Sequence, residues 1–412
     1  KKVYQHIKVR ATDNQQKQFV VRNKYHFTNL NKFDAKWILR RDGETIDSGS
    51  LGRLDVPPQE EFELEIPLPE LADNAEYLLT IQFLLLDATP WADAGHVVAW
   101  DQFPLTDFSR SSHSEKADVS QVKDSPSSYL LTWERVSATI DKSNGALTSY
   151  KIDDDELLTQ PLVPNFWKHP NNNQWGSGYD KRLAIWKNTA EERVLKRISL
   201  SSEDGKQRIQ VAFELPTLGA QYFLDYGVGS AGELTLHARY IPGEQEIPIM
   251  PRFGMQTAVP KQFDEITWYG RGPQETYWDR KTGGEIRVYE SEVEAWNHPY
   301  IRPQDVGNRT DIRWLTLLNQ DGLGLKFVGI QPLSMSIWPF ALEDLEVARH
   351  QIDLSRRDFN VVHIDWKLHG VGGDDSWGAH THPEYTLSGN ETHEYKFALI
   401  PKIPEAENRN SE

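Results

Sequence analysis

Glycines and carboxylates are concentrated in residues 370–378, which read Gly-Val-Gly-Gly-Asp-Asp-Ser-Trp-Gly. Four glycines allow a tight backbone, and a loop of this kind could carry Asp374, Asp375 and Trp377 into a cleft. There an indole could stack on the apolar face of a sugar ring while carboxylates accept hydrogen bonds from its hydroxyl groups. The alternative is a structural turn, in which both Asp side chains bond their own backbone and Trp377 fills the core.

Two further stretches combine glycine, aromatic and charged residues in a way that is typical of binding loops. Residues 268–280 read Trp-Tyr-Gly-Arg-Gly-Pro-Gln-Glu-Thr-Tyr-Trp-Asp-Arg, and residues 299–311 read Pro-Tyr-Ile-Arg-Pro-Gln-Asp-Val-Gly-Asn-Arg-Thr-Asp. Each could face a sugar or a protein partner. Each could also be a structural loop held by arginine–carboxylate pairs, because the guanidinium group donates two parallel hydrogen bonds.

Two histidines and a glutamate follow at alternate positions, namely His380, His382 and Glu384. On a strand these side chains would share one face and could ligate a metal ion. The alternative is that the histidines are exposed or hydrogen-bonded, which is the commoner role of the residue.

Composition excludes several classes of partner and site. The 412 residues include 45 basic and 61 acidic side chains, for a net charge of −16, whereas nucleic acids and anionic membranes require a basic surface. We therefore expect neither partner, and no apolar run approaches the roughly 18 residues of a membrane-spanning helix. The absence of cysteine excludes disulfides, thiol nucleophiles and thiolate zinc sites. It leaves the compartment open between cytoplasm and periplasm.

The elements that must position these residues are predicted to be strands. In residues 1–105, short strand patterns recur at a spacing of about ten residues, which favours an immunoglobulin-like sandwich. Asp42-Gly43 predicts a tight hairpin there. Residues 106–128 are rich in Ser, Asp and Lys and predict a linker.

Residues 129–402 return to strand patterns and predict one large antiparallel sandwich, followed by a tail at 403–412. A second tight turn is predicted at residues 143–147. One helical pattern occurs, at residues 180–192, where Leu183 and Trp186 are three positions apart on one face. Strands and helices do not alternate, so the chain encodes no eight-stranded α/β barrel.

Several motifs, in the same order along the chain, resemble the C-terminal part of a glycoside hydrolase family 2 β-galactosidase. Residues 1–8, 22–30 and 99–105 resemble that family's fourth domain, which is an immunoglobulin-like sandwich. The fifth domain is a large β-supersandwich that resembles aldose mutarotases. Its signatures are similar to Pro-Asn-Phe-Trp at 164–167, Gly-Arg-Gly-Pro-Gln-Glu at 270–275, Tyr-Ile-Arg-Pro-Gln at 300–304 and Gly-Gly-Asp-Asp-Ser-Trp at 372–377.

The resemblance implies where the chemistry lies. The family's catalytic glutamates stand on an α/β barrel that precedes the fourth domain, so no catalytic residue is expected in this chain. The family's magnesium and sodium sites lie in the same barrel, and no cofactor is expected here. The fifth domain contributes the Trp of its Gly-Asp-Asp-Ser-Trp loop, which stacks on the sugar. Trp377 holds that position, and Asp374 and Asp375 are expected to bind substrate beside it.

Partners follow from the same resemblance. We expect the barrel domain of the same polypeptide or of a large subunit, a carbohydrate, and a homo-oligomeric parent enzyme, meaning the longer β-galactosidase. The chain would be the non-catalytic part that completes the substrate pocket and supports assembly. Two alternatives are a free-standing carbohydrate-binding module and a mutarotase-like epimerase, which would need a histidine acid and a carboxylate base in one cleft. His380, His382 and Glu384 are the candidates for the latter.

One motif departs from the family pattern. Family members commonly carry Pro-Thr-Asp-Asn-Asp after the Phe-Trp signature, whereas residues 169–174 here read His-Pro-Asn-Asn-Asn-Gln. Both acids are replaced by amides. Amides supply no negative charge, so any role that the family gives those carboxylates, ionic or sugar-binding, is not expected to carry over to this stretch.

Overall fold

The computed structural model describes residues 1–12, 18–72, 74–108, 121–203, 206–375 and 378–404. Strands dominate these ranges and the helices are short, which confirms the predicted all-β class. Contacts divide the chain into two compact units, Lys1–Ser111 with Thr282–Val288, and Ser112–Lys281 with Tyr289–Glu412. None of the helices in the described ranges is long and apolar enough to cross a membrane.

The predicted segment boundaries at residues 105, 128 and 402 stay predictions. Most of the predicted linker, residues 109–120, and most of the predicted tail, residues 405–412, lie outside the described residues. The end of the predicted linker contains a short strand, Gln121–Asp124.

The first unit is a sandwich of two antiparallel sheets. Its strands in the described residues are β1 (Ile7–Ala11), β2 (Gln18–Asn23), β3 (Phe33–Arg41), β4 (Glu44–Gly52), β5 (Glu61–Glu65), β6 (Tyr77–Leu85) and β7 (Val97–Pro104). One sheet has the order β1-β2-β5 and the other β4-β3-β6-β7. Apolar residues alternate with polar ones along β3, so that Ala35, Trp37 and Leu39 enter a core that includes Val21 and Ile81.

The second unit is built on a large antiparallel sheet that curls on itself. The remaining strands are β8 (Gln121–Asp124), β9 (Ser128–Thr132), β10 (Val136–Asp141), β11 (Leu147–Ile152), β12 (Asp155–Glu156), β13 (Gln160–Asn165), β14 (Val194–Glu203), β15 (Lys206–Leu215), β16 (Ala220–Val228), β17 (Leu234–Ile241), β18 (Arg252–Pro260), β19 (Glu265–Gly272), β20 (Glu285–Glu292), β21 (Arg309–Leu318), β22 (Gly324–Trp338), β23 (Phe359–Leu368) and β24 (His393–Lys402). Strand β22 is the longest of these and joins two parts of the sheet. Its first half pairs with β24 and its second half with β23.

An aromatic core lies inside this second sheet. Phe166 contacts the rings of Tyr222, Tyr240 and Phe253, with ring centroids 5.6, 6.5 and 6.4 Å away. All four side chains are buried. The high aromatic content of the chain is therefore used in part as core, because large rings fill the wide space enclosed by a curled sheet.

The α-helices of the described residues are α1 (Asn172–Gly176), α2 (Tyr179–Arg182), α3 (Val293–Trp296) and α4 (Leu342–Val347). Short 3₁₀ turns occupy Lys2–Tyr4, Leu30–Lys32, Ala184–Trp186, Pro216–Leu218, Gln351–Asp353 and Pro383–Tyr385.

The helix predicted at residues 180–192 is wrong in length. Leu183 and Trp186 are both buried as predicted, but α2 ends at Arg182 and only a 3₁₀ turn follows. The Thr189 hydroxyl donates to the Ile185 carbonyl at 2.9 Å, a side-chain bond that competes with continued helix.

Both predicted hairpin turns are confirmed, and each uses residues with positive φ. Asp42 and Gly43, between β3 and β4, have φ of 50° and 91°. Gly145, between β10 and β11, has φ of 69°. A Cβ added to Gly145 would lie 2.5 Å from Val211 Cγ1, so this position requires glycine for space as well as for conformation.

A pair of glycine variants separates these two requirements. Gly178 has φ of 67° but nothing within 4 Å of an added Cβ, so Gly178→Ala should cost only about 1–2 kcal/mol of left-handed strain. Gly145→Ala should cost about 1–3 kcal/mol more, because its methyl group overpacks the core. Urea unfolding of both variants measures the difference, and equal losses would contradict the packing described here.

Candidate functional site

Residues from the three stretches singled out in the sequence, namely the glycine-rich loop 370–378 (first), 268–280 (second) and 299–311 (third), meet around one cavity of the second unit. Residues 171–173 of the amide-rich segment 171–174, called the amide stretch below, also line it. The cavity has a volume of about 520 Å³. It is lined by residues from 171–173, 275–280, 300–305 and 371–374, together with His382 and Tyr385. Each stretch borders a strand end, at β13, β19, β21 and β23 respectively. The sheet therefore gathers segments that are up to about 200 residues apart in the chain.

Asp279 anchors the start of the glycine-rich loop. Its Oδ2 atom accepts hydrogen bonds from the backbone N–H groups of Val371 and Gly372, both at 2.9 Å. A Cβ added to Gly370 would lie 2.8 Å from Asp279 Cγ, so the glycine allows the carboxylate to approach. The stretch that contains Asp279 thus fixes the loop that carries Asp374.

The amide stretch holds the same loop from the other side. Asn171 caps α1 by accepting from Gln174 N at 2.9 Å, and its Nδ2 donates to Val371 O at 2.9 Å. Gln174 Nε2 donates to Gly370 O at 3.2 Å. A carboxylate at position 174, where the family pattern has an acid, could not donate to a carbonyl group. The departure from the family pattern therefore has a structural consequence at Gln174, because its amide bonds the loop backbone directly.

Glu275 joins residues 268–280, the second stretch, to residues 299–311, the third stretch. Its carboxylate accepts from Arg280 Nη2 at 2.6 Å, from Gly307 N at 2.9 Å and from the Tyr300 hydroxyl. Burial, together with the Glu275 carboxylate, raises the pKa of Tyr300 above its ordinary value. These contacts match the ion-paired structural alternative for residues 268–280, and the same residues also line the cavity.

Beneath the cavity lies a fully buried ionic cluster. Arg252 Nη2 donates to Asp305 Oδ2 at 2.6 Å, and Arg252 Nε lies 3.7 Å from Asp365 Oδ2. Burial raises the pKa of Asp365 to about 8 and also raises the pKa of Asp305. Burial and the charge of Arg252 lower the pKa of His363 well below its ordinary value, so this imidazole stays neutral.

Lys168 is a second buried cation, at 1% exposure, and its Nζ donates to Gln174 Oε1 at 2.8 Å. Burial lowers its pKa to about 8. Sequence reasoning missed Lys168, Arg252 and Asp365. The motif Asn-Phe-Trp-Lys could have pointed to Lys168, but Arg252 and Asp365 stand in strand patterns, where a charged residue normally indicates the solvent face.

Asp374 and Asp375, two of the predicted site residues, have different surroundings. Asp374 lies at the cavity rim with 83% of its side chain exposed, and its Oδ1 is 2.9 Å from His382 Nε2. This bond raises the pKa of His382. Asp375 Oδ1 accepts from Ala379 N at 3.1 Å, which is the backbone bond that the structural alternative predicted. Trp377 lies outside the described residues, so its role stays a prediction.

The strand on which His380, His382 and Glu384 could share a metal-binding face is not formed, and His382 is hydrogen-bonded to Asp374, as the alternative has it. Residues 378–382 form no strand, and Pro383–Tyr385 is a 3₁₀ turn, so period-two alternation does not apply. His382 lines the cavity, whereas His380 does not. Within the described residues there is no group of three or more His, Asp or Glu side chains placed to hold a metal ion.

Family models match both units of the chain. One described as Beta galactosidase small chain matches residues 132–399, and one described as Beta-galactosidase, domain 4, matches residues 19–106. The chain belongs to the beta-galactosidase small chain family.

Curated relatives of this chain are beta-galactosidases by name. The chain is 34% identical over 405 residues to a beta-galactosidase of Priestia megaterium, covering 97% of this chain and 39% of that protein. It is 29% identical over 406 residues to a beta-galactosidase of Lactobacillus delbrueckii subsp. bulgaricus, covering 98% and 39%. The chain therefore spans about two fifths of the length of these relatives.

Solved structures show a more distant likeness. The galactose 1-epimerase of Lactobacillus acidophilus NCFM matches with 9% identity and a TM-score of 0.42, over 70% of this chain and 98% of that protein. This likeness concerns the sheet alone and carries no assignment of activity.

Replacing Asp279 tests the loop anchor. Asp279→Ala removes two charge-assisted hydrogen bonds, which should lower the local opening free energy by about 2–3 kcal/mol. Amide hydrogen exchange at Val371 and Gly372 should then accelerate roughly 30- to 150-fold. Asp374→Ala, on the same loop but exposed, is the matched control and should leave both rates unchanged. Unchanged exchange in Asp279→Ala would contradict the anchor.

Asp365 should make stability depend on pH with a defined sign. Its pKa rises from 3.8 to about 8 on folding, so at this group the unfolded chain binds fewer protons than the folded chain, and the Asp365 contribution to stability falls as pH rises between these values. That contribution has a slope of about 1.4 kcal/mol per pH unit near pH 6 and about half of this at pH 8. The buried histidines and Lys168, whose pKa values are lowered on folding, contribute with the opposite sign, so the test is a comparison of two chains. In urea unfolding between pH 6 and 8, the slope of stability against pH should be more positive in Asp365→Asn than in the unsubstituted chain, and equal slopes would rule out a buried titrating carboxyl.

Proposed function

We propose that this chain is the non-catalytic C-terminal portion of a family 2 β-galactosidase. Its role is to complete the substrate pocket and to support assembly of the enzyme. The observation that carries the proposal is the cavity at which two other stretches fix the start of the loop bearing Asp374. A chain that only filled a structural role would not need to hold an exposed, acidic loop so closely.

Carboxylates in the cavity lining are already bonded to other groups of the protein, which supports a non-catalytic role for this chain. A retaining glycosidase needs a nucleophile and an acid about 5–5.5 Å apart, both able to react with the sugar. Here Glu275 is occupied by Arg280, Tyr300 and a backbone N–H group. Asp279 bonds the loop backbone and Asp305 is buried against Arg252. We therefore assign the catalytic pair, and any metal site, to the part of the relatives that this chain does not span.

The loop itself is proposed to act through Trp377, with Asp374 and Asp375 beside it. A rigid loop start restricts where the indole can lie, and stacking on a sugar face requires such pre-organisation. The proposed partners are the barrel of the same polypeptide or of a large subunit, a terminal β-galactoside, and further copies in a homo-oligomer.

Activity assays test this proposal. The chain alone should not hydrolyse a chromogenic β-galactoside, whereas a polypeptide that joins it to the barrel portion should. In that polypeptide, Trp377→Ala should raise KM roughly 5- to 150-fold, because aromatic stacking contributes about 1–3 kcal/mol. Trp91→Ala, at a residue that is 67% exposed in the first unit, is the matched control and should leave KM unchanged.

Two results would contradict the proposal. One is turnover by the chain alone above a mock-purified control. The other is a sharp fall in the melting temperature of Trp377→Ala with an unchanged KM, since truncating a buried Trp costs roughly 3–5 kcal/mol of stability. Trp377 would then be a core residue.

A further inference from the structure

An apolar surface lies at one end of the first unit. It is formed by Val3, Tyr4 and Phe27, which are 63%, 83% and 97% exposed, and is called the entry surface below. Val3 and Tyr4 belong to the 3₁₀ turn that precedes β1, and Phe27 lies in the connection that follows β2. Single exposed apolar residues are ordinary on a protein surface, whereas a group of them is typical of an interaction site.

The two segments that form the entry surface lie side by side. Lys24 N donates to His6 O at 2.7 Å, and the rings of His6 and Tyr25 are 4.7 Å apart between centroids. Strands β1 and β2 are paired up to this end of their sheet. The turn and the connection therefore leave the sheet at the same end, and their apolar side chains belong to one surface.

Both segments are held in place by polar contacts. Lys1 Nζ is 2.7 Å from His96 Nε2, and Lys2 Nζ donates to the Asp101 carboxylate. Gln59 Nε2 donates to two carbonyl groups of the connection after β2, at 3.0 and 2.9 Å. The apolar side chains are thus presented by an anchored backbone, and their exposure is not the fraying of a chain terminus.

The relatives indicate what covers this surface. The chain spans 39% of the length of two relatives, and the proposed function places the remaining three fifths or so before Lys1. That portion is then joined to the 3₁₀ turn itself, where Tyr4 N donates to Lys1 O at 3.1 Å. A covalent connection at the edge of the surface gives the preceding portion a high effective concentration there, which no separate molecule shares.

We propose that the entry surface is the docking face for the portion of the polypeptide that precedes Lys1. In the longer enzyme, Val3, Tyr4 and Phe27 are buried against that portion. The proposal deepens the proposed function and rests on it for the position of the preceding portion. Docking is measured by thiol labelling and the proposed function by turnover, so failure of one is distinguishable from failure of the other.

Thiol labelling of single-cysteine variants tests the docking face. The chain contains no cysteine, so Tyr4→Cys and Phe27→Cys each introduce one thiol into it. In the joined polypeptide of the activity assays, both should react with a maleimide at least about tenfold more slowly than in the chain alone, because a docked position reacts only when the interface opens. Peptide mass spectrometry reads each position separately from any cysteine of the preceding portion.

Ile46→Cys is the matched control for labelling. Ile46 is 50% exposed and lies on β4, an edge strand of the other sheet of the same unit. Its labelling rate should be the same in both polypeptides. Equal rates in both polypeptides for Tyr4→Cys and Phe27→Cys, or the same slowing at Ile46→Cys, would overturn the proposal. So would labelling of the chain alone that slows as its concentration rises, since a second copy would then occupy the face.

A charged substitution tests whether the entry surface is buried. Tyr4→Asp should raise the labelling rate of Phe27→Cys in the joined polypeptide at least about threefold, because docking would then bury a carboxylate. Ile46→Asp in the same background should leave this rate unchanged. Neither substitution should alter the melting temperature of the chain alone, since both positions are exposed there. A Phe27→Cys rate that stays slow in the Tyr4→Asp polypeptide would contradict the proposal.

Discussion

The carboxylate of Asp279 is the contact on which the candidate site depends. It accepts two backbone N–H groups at the point where β23 gives way to the glycine-rich loop, and no side chain at position 370 larger than hydrogen leaves room for it. Backbone groups in a loop normally bond water. Here they bond a side chain of the segment that follows β19, so the start of one loop takes its position from another loop of the same unit.

The buried charges below the cavity serve the same arrangement. Burying Arg252, Asp305 and Asp365 is costly, because a charge removed from water recovers that cost only with good geometry, and several of these polar atoms have no partner. Well-packed hydrophobic residues of similar volume often give equal or better stability than a buried ion pair. The Arg252–Asp305 bond does connect β18 to the third stretch, which Glu275 then ties to the second. The cluster therefore specifies where the stretches meet.

Local sequence signals predicted part of the fold and part of the candidate site. Strand alternation, the Asp42-Gly43 turn and the density of glycine and acid at 370–378 are all properties of short windows. The structure agrees with the first two, and residues 371–374 of the third line the cavity. The meeting of four distant stretches could not be predicted from any short segment of the sequence, because it depends on how the strands pair across the sheet. Arg252 and Asp365 were not predicted as buried residues, because a charged residue inside a strand ordinarily lies on the exposed face.

The central claim is that Asp279 acts through the loop that carries Trp377, and a double-mutant cycle on the joined polypeptide tests it most directly. Asp279→Ala, Trp377→Ala and the double variant would be compared by kcat/KM for a β-galactoside, with melting temperatures as a check on folding. The account predicts that each single change lowers kcat/KM and that the double variant is little worse than Trp377→Ala, because both remove the same stacking contact. Additive losses, or an unaffected Asp279→Ala enzyme, would contradict it.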